Sequence, residues 1–177
     1  MEWKIYAVPG IRIKYPRNWL FQDQNLATKE MLVLFSKEKI DCQTQFDTFT
    51  RNVTIAAEGI DLEKEPYKEV KNDPEKLLEK YTDEKMKILE DKIKDFKLIR
   101  KEKIEIKESY RSFKGDSAVK ITYEGEYYDF NLRWTQYFTI IGGDIVCVLT
   151  ATDFKNKFNN KFIQITDEMI NSMEITP

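Results

Sequence analysis

The stretch "LRWTQYFTIIGGDIVCVLTATD", residues 132–153, places two apolar, β-branched and aromatic runs on either side of Gly142, Gly143 and Asp144. Glycines supply the positive backbone angles of tight turns, so this segment reads as a β-hairpin. A hairpin of this kind cannot stand alone in water and needs neighbouring strands and a covering layer. The rest of the chain is therefore read outward from it.

Upstream, "KLIRKEKIEIK" at 97–107 and "SAVKITYEGE" at 117–126 have strand character and flank a polar turn at Lys114, Gly115 and Asp116. "IRIKY" at 11–15 alternates isoleucine with basic residues and ends at Pro16, which removes a ladder donor. "MLVLFSK" at 31–37 is apolar throughout, as expected of a strand covered on both faces. "RNVTIAAE" at 51–58 sets Val53, Ile55 and Ala57 on one face and Asn52, Thr54 and Ala56 on the other.

Two segments change to helical period. Asp73, Pro74 and Glu75 form an N-cap, a first-turn proline and a dipole-favoured acid. Leu78, Tyr81, Ile88, Leu89, Ile93 and Phe96 then follow near one helical face, interrupted by Lys85. At the end, Phe154, Phe158, Phe162, Ile165, Met169 and Met173 recur at steps of three and four, with Asp153 available as a cap. This stripe predicts a C-terminal helix laid across the sheet. Three strands, a helix, four strands and a helix define an α+β layered domain.

Composition bounds function. The 177 residues, 41% hydrophobic, suit one core, so a single domain over 1–177 is expected. Lysine and arginine number 29 against 31 aspartates and glutamates, with no basic stretch, which predicts no nucleic-acid partner. The longest apolar run, "IVCVLTA" at 145–151, is far short of the roughly 20 residues of a membrane span. "MEWKIYAVPG" shows no export signal. A cytoplasmic protein is expected if Met1 is the true start, and a surface-anchored extracytoplasmic one if a signal peptide has been trimmed.

There is no histidine, which removes the commonest general base and zinc ligand. Phosphate-cradling and nucleophile-elbow motifs are absent from the sequence. Cys42 and Cys147 are expected to be unpaired thiols, Cys147 as a small core residue. Carboxylate pairs such as Glu84 with Glu90 or Asp129 with Asp144 are conceivable as acid and base, but 31 acids generate such pairs by chance. No cofactor and no metal is expected.

Two segments point to contact with another protein. "EYYDFNLRW" at 126–134 gathers Tyr127, Tyr128, Phe130 and Trp134 around a polar turn, with Trp134 assigned to a strand and hence to core. "EKIDCQTQFDTF" at 38–49 sets Phe46 and Phe49 among polar neighbours. Aromatic residues beside arginine are the composition enriched at interfaces. Phe46, Phe49, Tyr127, Tyr128 and Phe130 are the candidate partner-binding residues.

Taken in order, "GIRIKYPRNW", "RNVTI", "DSAVKITYE" after Gly115, "IVCVLTAT" and "FIQITDEMINSMEI" with Ser172 resemble the PsbP-like family, whose fold is shared with the Ran-binding nuclear-import factor of yeast. The resemblance spans nearly the whole chain, each motif being short. It implies an α/β/α sandwich on a central, mostly antiparallel sheet of about six or seven strands, flanked by the mid-chain and C-terminal helices. It also implies that Trp19 folds back under the sheet once Pro16 ends the strand, as a packing residue.

Members of the family are typically non-enzymatic. They include an extrinsic subunit of photosystem II, surface lipoproteins and secretion-system adaptor chaperones. This chain has no lipoprotein cysteine near its start and no histidine to match the photosynthetic member's metal-linked residues, so a photosynthetic role does not carry over. The expected function is a non-catalytic protein-binding or assembly module. The alternative is a small-ligand or carboxylate-based hydrolytic site in a cleft between the sheet and the charged helix.

Overall fold

A strand whose two faces are both apolar has to sit at the centre of layers, and the hairpin at 132–153 does so. In the computed structural model, which describes residues 1–8, 11–23, 31–38, 49–105, 117–141 and 143–175, β8 (Phe130–Ile141) and β9 (Ile145–Phe154) pair antiparallel from Leu132↔Phe154 to Ile141↔Ile145. Gly143 takes φ +93° in their connection, the conformation the turn demanded. β5 (Asn52–Gly59) pairs along β9, followed outward by β4 (Met31–Ser36) and β3 (Leu20–Asp23). On the other side lie β7 (Ser117–Tyr127) and β6 (Lys94–Glu105). The seven-stranded order is β3-β4-β5-β9-β8-β7-β6, antiparallel at every step.

The strand at 11–15 is present as β2 (Ile11–Pro16) but belongs elsewhere. It forms a separate three-stranded sheet with β1 (Trp3–Val8) and β10 (Glu174–Ile175). β1 and β3 carry no comparable signal in the sequence: β1 buries only Tyr6, and β3 spans four residues. The first is held by its ladder to β2, from Trp3↔Pro16 to Val8↔Ile11, rather than by an apolar face.

Alternation along β8 and β9 separates two cores. Tyr137, Cys147, Leu149 and Ala151 point one way and join Val33, Phe35, Val53 and Ile55. That core is closed by Ile11, Ile13 and Tyr15 of β2 and by Phe162, Ile165, Met169 and Ile170 of α2 (Asn160–Asn171). Leu132, Trp134, Phe138, Val146 and Val148 point the other way, with Ile121 and Tyr123, onto Leu77, Leu78 and Tyr81 of α1 (Pro74–Lys92). Two helices on opposite faces of an antiparallel sheet make the α/β/α sandwich, with the small sheet sharing the α2 layer.

The helix starts follow capping chemistry. Asp73 accepts from the Lys76 N–H at 3.1 Å, with Pro74 in the first turn. The buried face of α1 is narrower than its stripe suggested: Leu77, Leu78, Tyr81 and Thr82 are buried, whereas Ile88 is 44% exposed, Ile93 caps the helix and Phe96 lies in β6. Lys85 interrupts the stripe because its ammonium pairs with Glu58 of β5 and lies 5.4 Å from the centre of the Tyr81 ring. At α2 the cap is Asn159, which accepts from the Phe162 N–H at 3.1 Å, not Asp153. Asp153 is still in β9 and is bound to Arg51. Phe154 likewise ends β9 and faces the α1-side core, while Phe158 and Met173 flank α2 on the expected face.

Polar contacts fix α2 in place. Ser172 Oγ accepts the Lys14 N–H at 2.9 Å and donates to the Met169 carbonyl at 2.8 Å, joining the helix end to β2. The buried Tyr137 hydroxyl donates to Asp167, which Lys120 also reaches at 2.8 Å. Burial and then the Asp167 charge hold that hydroxyl far above the ordinary tyrosine range. Cys147 is an unpaired thiol at 1% exposure, and burial pushes it up to about 12. Cys42 lies outside the described residues, as does the turn at Lys114, Gly115 and Asp116.

Trp19 is buried, its ring 6.3 Å from that of Phe162, and its backbone N–H donates to the Pro16 carbonyl at 2.9 Å. It is a packing residue, and Trp19→Ala is expected to cost about 3–5 kcal/mol, read as a shifted midpoint in chemical denaturation. A midpoint equal to wild type contradicts this. Gly125 answers to a different constraint. A Cβ there would lie 2.3 Å from Ile93 Cγ2 and 2.9 Å from the Lys94 carbonyl oxygen, so Gly125→Ala should cost roughly 1–3 kcal/mol by the same measurement.

Candidate functional site

The sheet end carrying the β7–β8 turn gathers three of the five candidate residues on the hairpin itself. Tyr127 and Phe130 form the last pair of the ladder, leaving Tyr128 and Asp129 as a two-residue loop. Their φ values are +48° and +63°. Two consecutive positive angles are the type I′ pattern, which matches strand twist and favours Asn-Gly. Tyrosine in the left-handed region costs on the order of 1–2 kcal/mol, because its Cβ crowds the following carbonyl.

That strained turn displays aromatic surface. Tyr127 is 45% and Tyr128 54% exposed, and their rings meet edge to face at 4.4 Å. Partial burial, and then hydrogen bonding to Tyr128, raise the Tyr127 hydroxyl above its ordinary range. Phe130 behaves differently. It is half-buried in a three-ring cluster with Phe49 and Phe154, at 6.1 Å from Phe49 and 5.9 Å from Phe154, while Phe49 and Phe154 stand 5.1 Å apart. Phe49 and Phe130 thus support the hairpin more than they present surface. Phe46, like 39–48 as a whole, lies outside the described residues. Trp134 is core, stacked on Tyr123 at 5.1 Å.

Beneath the hairpin is a set of buried charges. Glu124, Arg133 and Asp153 stand opposite one another on β7, β8 and β9. The Glu124 side chain is 7% exposed and accepts from Arg133 Nη2 at 2.8 Å and Lys155 Nζ at 2.7 Å. Asp153 accepts from Arg51 Nε at 2.6 Å, and Arg51 Nη2 donates to the Lys157 carbonyl at 3.0 Å. The Arg51 guanidinium also lies 4.7 Å from the Phe162 ring centre. Burial alone would raise the Glu124 carboxyl, yet the Lys155 and Arg133 hydrogen bonds outweigh it and hold it below the usual range. The sequence offers each residue only as one charge among many; strand register is what assembles them.

The carboxylate pairs imagined for catalysis are kept apart. Asp129 and Asp144 occupy opposite ends of the 12-residue β8, roughly 40 Å along the strand. Glu84 and Glu90 are six residues apart on α1, about 120° around the helix, and Glu84 accepts from Lys87 at 2.9 Å. The space between α1 and the sheet, where a cleft was anticipated, is packed with Leu77, Leu78 and Tyr81 against Tyr123, Trp134 and Phe138. Among the described residues, no group of three or more Cys, Asp or Glu is placed to hold a metal ion, and no helix is long and apolar enough to cross a membrane.

A seven-stranded antiparallel sheet between two helices is the α/β/α fold of the PsbP and Mog1 proteins. No protein-family model matches the chain, and no curated protein does. Solved structures do. The chain is similar to cyanobacterial PsbP (CyanoP) from Synechocystis, with TM-score 0.56 and 14% identity over 98% of this chain and 92% of that one. It is similar to LpqN, described as involved in cell envelope biogenesis of Mycobacterium tuberculosis, with TM-score 0.58 and 12% identity over 99% and 91%. It is also similar to the Ran-binding protein Mog1p of Saccharomyces cerevisiae, with TM-score 0.50 and 10% identity over 97% and 95%. At such identities the likeness establishes the fold.

The Glu124 network makes a pH prediction. Because the folded carboxyl titrates below its ordinary 4.5, its stabilisation is complete above that value and is lost as pH falls through the lower folded one. Glu124→Gln should cost about 1–3 kcal/mol at pH 7, tempered by the exposure of Lys155. The gap to wild type should close below pH 4.5 in urea titrations run across pH. A gap that stays constant contradicts the assignment.

Proposed function

We propose that this protein is a non-catalytic binding or assembly module that holds a protein partner through the β7–β8 hairpin tip. One observation carries the reading. Tyr128 sits at φ +48° beside Tyr127, both half-exposed, at a turn where Asn-Gly would form with less strain. Strain retained at a surface turn, in residues that supply large rigid contact area, is the signature of recognition rather than of folding. The Phe49, Phe130 and Phe154 cluster and the Glu124 pairs stiffen the hairpin from below, which lowers the entropy lost when a partner is bound.

The comparisons support the same direction. Mog1p is described as Ran-binding, so one relative of this fold holds another protein.

The test is affinity capture from the source organism with wild type, Tyr128→Ala and Tyr128→Asn, with captured proteins quantified by mass spectrometry. Tyr128→Asn should gain about 0.5–1 kcal/mol of stability, because Asn enters the left-handed region readily, and yet lose the partner. Tyr128→Ala should lose it too. A partner retained equally by all three removes the hairpin tip from the account.

A further inference from the structure

From the end of β9 into the first turn of α2, "KNKFNNK" at 155–161 has three lysines and no acid. It is fastened to the hairpin. The Lys155 N–H donates to the Asn131 carbonyl at 2.9 Å, and the Lys157 N–H to the Phe154 carbonyl at 2.9 Å. The Lys157 ammonium lies 4.9 Å from the centre of the Phe154 ring, which touches Phe130, the ladder partner of Tyr127. Lysines and tyrosines therefore share one end of the sheet.

Among the described residues, three acids at this end are already engaged. Glu124 and Asp153 are buried and engaged by Arg133, Lys155 and Arg51, and Glu126 is paired with Lys94. Among the described residues, Asp129 in the turn itself and Asp95 beside Lys94 are the exposed acids here. Among the described residues, neither Lys157 nor Lys161 lies within ion-pair distance of a carboxylate. Lys161 moreover occupies the first turn of α2, where a positive charge opposes the helix dipole and no acid offsets it. Lys161, like the strained tyrosine turn, thus sits where its charge opposes local stability, while Lys157 has an aromatic ring but no carboxylate beside it.

We infer that the partner presents an acidic segment, whose carboxylates meet Lys157, Lys161 and the exposed flank of Lys155 while Tyr127 and Tyr128 supply apolar contact. This rests on the hairpin reading above and specifies its partner's chemistry. Attraction of this kind raises the association rate and weakens with salt.

The probe is a fluorescent poly-glutamate peptide titrated by anisotropy against the full chain. Wild type should bind it saturably at low salt, with affinity falling at least ~10-fold between roughly 50 and 300 mM NaCl. The double variant Lys157→Glu, Lys161→Glu should lose at least ~10-fold at low salt. A control of equal charge change on exposed α1 positions, Lys80→Glu with Lys92→Glu, should stay within about twofold. Circular dichroism melts verify that each variant is folded. No saturable binding, an equal loss in the control, or tighter binding of a DNA oligonucleotide or of anionic vesicles overturns the inference. In affinity capture, a partner lost with Tyr128→Ala but kept by the double charge reversal overturns the acidic partner and leaves the hairpin reading standing. The converse supports the acidic partner and removes Tyr128.

Discussion

Burial of β8 on both faces is the constraint on which the rest depends. Tyr137 must enter the core closed by α2 and the small sheet, while Trp134 and Phe138 must enter the one closed by α1. A shift of one residue against β7 or β9 would exchange the two sets and place Arg133 and Thr135 against α1. The alternation therefore sets the register of the whole sheet, and register in turn decides which distant residues become neighbours. Arg51 and Asp153 meet for this reason, 102 positions apart.

The same register explains how charge is tolerated inside the sheet. Three adjacent strands offer an acid, a base and an acid at one level, Glu124, Arg133 and Asp153. The two carboxylates, nearly fully buried, would each be costly alone. Together with Arg51 and Lys155 they alternate in sign, so desolvation is offset by hydrogen bonds between charged groups. Such a network also rigidifies the strand ends just below the turn that carries Tyr128. The exposed tyrosine tip and the stabilising framework are then two levels of one hairpin.

What could be read from the sequence was what is periodic or local. The hairpin at 132–153, the Asp73 cap and the α2 stripe were legible because alternation, capping chemistry and three-four spacing are written in neighbouring residues. β1 and β3 were not, since one is mostly exposed and the other is four residues long. Phe154 and Asp153 were read into the α2 region because the spacing of the phenylalanines runs unbroken across the end of a strand. At the candidate site, Tyr127 and Tyr128 could be picked out by composition. The union of Phe49 with Phe130, and of Glu124 with Arg133 and Lys155, depends on pairings that no local pattern encodes.

β6 ends the sheet on the side away from β3, and its outer backbone groups have no strand beside them among the described residues. Twelve residues of open ladder are a template for uncontrolled stacking of one molecule on the next. The strand carries Lys97, Arg100, Lys101 and Lys103, Arg100 being paired with Glu102 and Lys101 with Asp83, so two copies meeting antiparallel near Arg100 would set Lys97 against Lys103 and arginine against arginine. Self-repulsion thus guards the sheet where geometry leaves it open. High ionic strength, which screens that repulsion, is the condition under which concentrated solutions of this protein would turn cloudy.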